Sequence, residues 1–386
     1  MPDIRVHVDG LTFPNPFVIA SGPPGTNKKV IAKAFNEGWG GMIAKTVSLE
    51  AEKIKNVAPR YGKLKSMETG EVIGFENIEL ISDRPLEIWE KEFRELKDEF
   101  PDHILIASIM EEFEKDRWVE ITQRCEAAGV DGFELNLSCP HGLPERGMGG
   151  AMGQNPDMVG EVCSWVRGAT SKPVWAKMTP NITHIVEPAG AAIANGASGI
   201  AAINTILSVI GVDLKTLRPM PTVYGYSVPG GYSCQAVRPI ALRMVSEIAR
   251  AYPKSALSGI GGVQCAEDAI QFMLLGAHTV QVCTAAMLQG YGMVKEMISG
   301  LEAFMEEHGF ETIEDFRGHS LQFFSTHKHL GELQDEAKAA RAAAKAIKED
   351  NEWDGDTIDR QTDDLTSNAS DKGAKKAPQP VSQPAK

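Results

Sequence analysis

The chain has 386 residues, 42% of them hydrophobic, with 37 glycines and a formal net charge of -13. This allows one large α/β domain with a substantial core and an appendage, and the acidic balance argues against phosphate backbones, so no nucleic acid partner is expected. No run of about 18 apolar residues is present, and the opening "MPDIRVHVDGLTFPNPFVIASG" has neither a signal-peptide core nor an Arg-rich transit composition, so no membrane contact and a cytoplasmic location are expected.

Eight apolar, β-rich runs alternate with helix-length segments. In chain order they are 17–22 "FVIASG", 41–47 "GMIAKTV", 104–110 "ILIASIM", 132–138 "GFELNLS", 173–179 "PVWAKMT", 199–205 "GIAAINT", 256–262 "ALSGIGG" and 279–285 "TVQVCTA". Continuous apolar runs mark strands buried on both faces, and helices between them imply parallel crossovers. Eight such units read as a TIM (β/α)8 barrel. Two connections, 48–82 and 206–239, are longer than ordinary barrel loops and both follow strand ends, where long loops build sites.

Beyond Leu330 the composition changes. The expected organisation is a catalytic barrel over 1–330, an Ala/Lys-rich helical extension over 331–350 and a polar, disordered tail over 351–386. The six cysteines are scattered with no CxxC pair, so no metal site and no iron-sulfur cluster is expected in this chain.

Barrel chemistry sits at the carboxyl ends of the strands, so the polar residues that close each run are the candidates. Lys45 and Thr46 close the second run, Asn136, Ser138 and Cys139 the fourth, and Lys177 the fifth. Asn204 and Thr205 close the sixth, Gly261 and Gly262 the seventh, and Cys283 and Thr284 the eighth. The "GIGG" turn offers backbone N–H groups to a phosphate near strands seven and eight. Each residue also has a plainer reading: Cys283 as a small buried hydrophobe, the lysines as salt-bridge partners, and Asn204 and Thr205 as caps. Convergence of six strand ends on one pole favours a site, because packing alone would select apolar fillers.

The segments "NLSCPHGLPERGMGGAMGQ" (136–154), "AKMTPNIT" (176–183), "AAINT" (201–205), "GFENIELIS" (74–82), "RPIALR" (238–243) and "GIGG" resemble the FMN-dependent dihydropyrimidine dehydrogenases. The resemblance is to their pyrimidine-reducing barrel domain, also found as the catalytic subunit of two-component bacterial enzymes, and runs from Ile4 to Gly318. The related class 1 dihydroorotate dehydrogenases typically carry asparagine after the Cys-Pro pair, where His141 stands here.

The resemblance implies reduction of the 5,6 double bond of uracil or thymine, with hydride from FMN N5 to C6 and a proton from Cys139 to C5. It implies that Asn77, Asn136, Ser138, Asn204 and Thr205 hold the pyrimidine. Lys45, Thr46, Lys177, Gly261, Gly262, Cys283 and Thr284 would contact FMN, with Ser21 and Gly22 lining the flavin. Asparagine amides answer the alternating donors and acceptors of a uracil ring, and lysines suit an electron-rich reduced flavin. The glycine-rich segment after Pro140 reads as a lid.

Cys234, near the expected FMN phosphate, replaces a glycine of the resembling sequences. A positive φ there would cost its side chain about 1 kcal/mol. Without an iron-sulfur relay, electrons are expected from NAD(P)H directly or through a separate NAD(P)H/flavin reductase subunit. A homodimer is also expected. Alternatives are dihydroorotate oxidation, a Schiff-base aldolase or isomerase using Lys45 or Lys177, and a non-catalytic FMN electron-transfer subunit.

Overall fold

A computed structural model of the 386-residue chain describes residues 2–137 and 149–347. An amino-terminal hairpin, β1 (Val6–Val8) and β2 (Leu11–Phe13), precedes β3 (Phe17–Ile19) and β4 (Gly41–Ile43). A ribbon of β5 (Tyr61–Lys65) and β6 (Val72–Asn77) follows, then β7 (Ile104–Ile109), β8 (Gly132–Asn136), β9 (Val174–Lys177) and β10 (Gly199–Ala202). Four short strands come next: β11 (Ile206–Ser208), β12 (Val212–Asp213), β13 (Arg218–Pro219) and β14 (Gly230–Ser233). The last two are β15 (Ala256–Ile260) and β16 (Thr279–Val282).

Strands β3, β4, β7, β8, β9, β10, β15 and β16 pair in that order, all parallel, and β16 returns to β3 to close the barrel. Each expected apolar run contains one of these strands, as the TIM barrel reading requires. Helices such as Leu86–Glu99 and Pro156–Ala169 put an apolar face against the sheet, burying Trp89, Phe93 and Leu96 in the first and Val159, Val162 and Val166 in the second. Trp39, Trp89, Trp118 and Trp175 are fully buried, and each aromatic side chain contributes on the order of 150–250 Å² of buried surface.

The two long connections meet each other. Strands β5 and β6 from the first and β11 and β14 from the second form one antiparallel sheet in the order β11-β14-β6-β5. The join is β14 to β6, with Gly231 opposite Asn77 and Ser233 opposite Phe75. The start of the first connection is anchored by fully buried Glu111, which accepts from the Leu49 N–H at 2.6 Å and from Ser48 Oγ at 2.9 Å.

The chain divides into two compact units, Met1–Phe324 and Ser325–Lys386. Within the second, the described part contains the helix His327–Ile347. The tail expected to be disordered, 351–386, lies outside the described residues.

Candidate functional site

At the carboxyl pole of the barrel one cavity gathers residues from strand ends and from both long connections. Its floor takes Ser21 and Gly22 after β3, Lys45 and Thr46 after β4, Asn136 at the end of β8 and Lys177 at the end of β9. Asn204 and Thr205 follow β10, Gly261 and Gly262 follow β15, and Cys283 and Thr284 follow β16. The antiparallel sheet adds Asn77, and Cys234 just beyond β14 completes the set. Fourteen of the sixteen residues expected from the sequence therefore share one cavity; the other two, Ser138 and Cys139, lie outside the described residues.

Hydrogen bonds make the floor a connected polar surface. The Thr46 hydroxyl stands 3.1 Å from that of Ser21 and 2.8 Å from that of Ser108, and accepts from Asn136 Nδ2 at 3.0 Å. Asn136 Oδ1 in turn accepts from Asn204 Nδ2 at 3.3 Å. Two amides with their orientation set by neighbours thus line one wall, an arrangement that can present both a donor and an acceptor to a flat ring.

Both lysines are buried and ion-paired. Lys45 Nζ lies 3.0 Å from Glu79 Oε2, and Arg60 reaches the other oxygen of Glu79 at 2.6 Å. Lys177 Nζ lies 2.9 Å from Glu134 Oε1. Tyr61 donates to Glu79 at 3.3 Å, and burial, reinforced by the Glu79 charge, pushes its phenol up to about 12, so it remains a donor at neutral pH. Cys283 shows part of its surface to the cavity but is otherwise enclosed by protein; that burial pushes its thiol up to about 11, against the opposing pull of Lys177 and Lys45.

The glycines at the ends of β3 and β15 are demanded by close approach. A Cβ on Gly22 would stand 2.6 Å from Cys283 Sγ. Gly262 has φ +77, and a Cβ there would meet the Cys234 carbonyl and the Arg238 N–H at 2.9 Å. The "GIGG" turn therefore packs backbone to backbone against the turn that leads into helix Arg238–Ala251. Cys234 has φ 80 and ψ -174, a region that is essentially glycine-only and costs other residues on the order of 1–3 kcal/mol. The positive φ that the glycine replacement raised as a condition is thus present.

The cavity also holds Tyr61, Glu79, Tyr232 and Gln281, to which the sequence reading assigned no role. Glu79 lies inside the quoted "GFENIELIS", and Gln281 and Glu134 interrupt apolar strand runs. A polar or charged residue in the middle of an otherwise apolar barrel strand was the available signal, because such residues are rarely buried unless paired. Among the described residues no cluster of His, Cys, Asp and Glu could hold a metal ion, and no helix is long and apolar enough to cross a membrane.

The chain is 56% identical over 377 residues to "Dihydropyrimidine dehydrogenase (NADP(+)), chloroplastic" of Arabidopsis thaliana, covering 95% of this chain and 88% of that protein. It is 42% identical over 319 residues to "NAD-dependent dihydropyrimidine dehydrogenase subunit PreA" of Escherichia coli K12, covering 82% and 76% respectively. Among solved structures, a dihydroorotate dehydrogenase of Eimeria tenella in complex with ferulenol superposes with a TM-score of 0.70 at 19% identity, over 83% of this chain and 89% of that one, a likeness of fold. The profile described as dihydroorotate dehydrogenase matches residues 3–305, nearly the whole barrel unit, and with these relatives it establishes that the chain belongs to the dihydroorotate dehydrogenase family.

Proposed function

We propose that this protein is an FMN-dependent oxidoreductase that reduces the 5,6 double bond of uracil or thymine. The observation that carries the reading is the meeting, in one cavity, of the Asn136–Asn204 amide pair with two buried, ion-paired lysines and a glycine turn closed against backbone. The names of the Arabidopsis and Escherichia coli relatives support the same substrate class.

The residues fit FMN. Gly261, Gly262 and Thr284, which follow β15 and β16, line the same cavity, where turn backbone and a hydroxyl can meet a phosphate. Lys45 and Lys177 place fixed positive charge where an electron-rich ring system would lie. When bound, FMN would supply the two-electron chemistry, a hydride for C6 of the pyrimidine.

The protein's own residues do the rest. Asn136 and Asn204 orient the ring through its amide edges, together with Asn77 and Thr205 from the same cavity. The resemblance adds Ser138 to the groups that hold the ring and assigns Cys139 to hold the proton for C5. A thiol near its usual pKa of about 8.5 is mostly neutral at physiological pH and rests against a carbon atom with little desolvation cost.

A Schiff-base reading is disfavoured by the site. Both candidate lysines stand at bonding distance from a buried carboxylate, an arrangement suited to a fixed positive charge rather than to a nucleophilic amine.

Electrons come from NAD(P)H, directly or through a separate reductase subunit; the Escherichia coli relative is itself named as a subunit. A homodimer, a barrel domain ending near residue 330 and a cytoplasmic location complete the proposal. The Arabidopsis relative is described as chloroplastic, so cell fractionation tests the location.

The deciding experiment is anaerobic stopped-flow of the photoreduced protein against a panel of pyrimidines. Flavin absorbance that returns on mixing with uracil or thymine is the expected result. A colourless protein, or a reduced flavin indifferent to every pyrimidine tested, overturns the reading.

A further inference from the structure

Below the cavity floor, the barrel interior holds a charged group that no contact with a ligand explains. Glu134, midway along β8, is 0% exposed, and it does not line the cavity. Its Oε1 accepts from Lys177 Nζ at 2.9 Å and its Oε2 from Gln281 Nε2 at 2.8 Å. Gln281 Oε1 accepts from Lys177 Nζ at 3.3 Å, which closes a ring of three side chains from β8, β9 and β16. Ser258 on β15 joins it at 3.1 Å from Gln281 Nε2 and is itself 2.8 Å from the Thr279 hydroxyl. The charges dictate how the Gln281 amide points: its NH₂ must meet the carboxylate and its oxygen the ammonium, since the reverse would set acceptor against acceptor and donor against donor.

Stability is a poor explanation for this ring. Barrel interiors are ordinarily filled by branched apolar side chains. Replacing a buried ion pair by apolar residues of similar volume is often neutral or stabilising. What the ring does accomplish is local to Lys177, an ammonium with three N–H donors. Two of its bonds go to Glu134 and Gln281, which leaves one donor for a group in the cavity that Lys177 lines.

We propose that Glu134 is a positioning residue that aims the Lys177 ammonium at the cofactor and moderates its charge, thereby setting the reduction potential of the bound flavin. The inference rests on the flavin reading of the cavity. An unopposed ammonium would favour the anionic reduced cofactor so strongly that it would become a poor reductant for a pyrimidine. The carboxylate beneath Lys177 offsets part of that field and keeps the potential low enough for electrons to pass on, while the ammonium still holds the ring in place.

The test uses the full chain loaded with FMN, as wild type, Glu134→Gln, Lys177→Met and the double variant, with the flavin midpoint potential measured by dye equilibration. Glu134→Gln keeps the shape and removes the charge, and should raise the affinity ratio of reduced over oxidised cofactor roughly tenfold, about 30 mV upward for a two-electron couple. Lys177→Met should move the potential downward. In Lys177→Met a carboxylate left buried without its counter-ion is neutralised rather than kept charged, so the double variant should match Lys177→Met alone, a non-additivity that a merely structural role does not produce.

A Glu134→Gln holoprotein with wild-type potential overturns the proposal, as does a shift that persists in the Lys177→Met background. If Glu134→Gln does not fold, the double variant, which carries neither charge, decides: a potential equal to that of Lys177→Met supports the proposal, and a tenfold difference in the affinity ratio overturns it. Failure of the wild type to bind flavin at all is a separate outcome, which removes the flavin reading and this inference with it.

Discussion

The side-chain amide of Asn77 donates to the Gly231 carbonyl at 3.1 Å, so a residue from one long connection is held by the backbone of the other. The two are also directly opposed in the β6–β14 ladder. The part of the cavity that Asn77 lines therefore exists only when both connections are folded against each other.

Asn77→Ala is expected to raise the KM for uracil about tenfold, because it removes one amide contact to the ring and the bond that orients it, about 1–2 kcal/mol in all. FMN retention should change little, since the expected cofactor contacts come from other strand ends. Steady-state kinetics beside flavin content after gel filtration checks both. An unchanged KM would remove Asn77 from the substrate contacts.

Cys139→Ala should leave flavin reduction and pyrimidine binding nearly intact and slow single-turnover reoxidation by uracil by about 10² to 10⁴, the range for loss of a positioned general acid. Cys139→Ser should show a partial defect that varies with pH, its hydroxyl being a far weaker acid. Equal rates in all three proteins at saturating uracil would transfer the proton delivery to another group or to water.

At Cys234 the backbone occupies a glycine-only conformation although the residue carries a side chain. Cys234→Gly should stabilise the fold by about 1 kcal/mol and retain FMN at least as well as wild type, because relief of the strain exceeds the loss of the thiol contacts. Cys234→Ala keeps the strain and loses the contacts to Gln264 and the Val72 carbonyl, so it should fall below wild type. Thermal unfolding of the three proteins orders them; Cys234→Gly melting below Cys234→Ala would refute the strain argument.

Burial also makes the fold sensitive to alkali. The thiols of Cys125 and Cys163 are pushed up from 9.0 to about 12, and that of Cys283 from 9.0 to about 11, in each case chiefly by burial. A raised folded-state value means that the unfolded chain loses these protons first. Their contribution to stability is therefore complete below about pH 9 and is lost as pH climbs toward 11 and 12. Urea midpoints measured at pH 8, 9.5 and 11 should fall modestly over the first interval and more steeply over the second; a flat series would show that the thiols do not couple to unfolding in this range.

Much of the site was legible from local pattern. A barrel strand reads as an apolar run, and the polar residue that ends it, such as Lys45, Lys177 or Asn204, must point to the pole where the chain turns back. Fold class and most of the floor follow from that short-range rule, which needs no knowledge of which strand lies beside which, whereas Ser21 and Gly22 were named through the family resemblance.

What only the tertiary structure decided is pairing across long separations. Asn77 and Gly231 meet because β6 and β14, far apart in the chain, share a register fixed by ladder hydrogen bonds, and no local periodicity encodes a partner's identity. The same holds for Glu134 beneath Lys177: the apolar run around it showed a charged interruption but could not say that a lysine from the neighbouring strand and a glutamine from across the barrel would converge on it. The φ of Cys234 was likewise undetermined until the "GIGG" turn packed against its carbonyl, where the space left by Gly262 dictates the path of the backbone. Sequence determines which residues are polar at a strand end; the closing of the barrel, through steric fit and hydrogen-bond register, determines which of them touch.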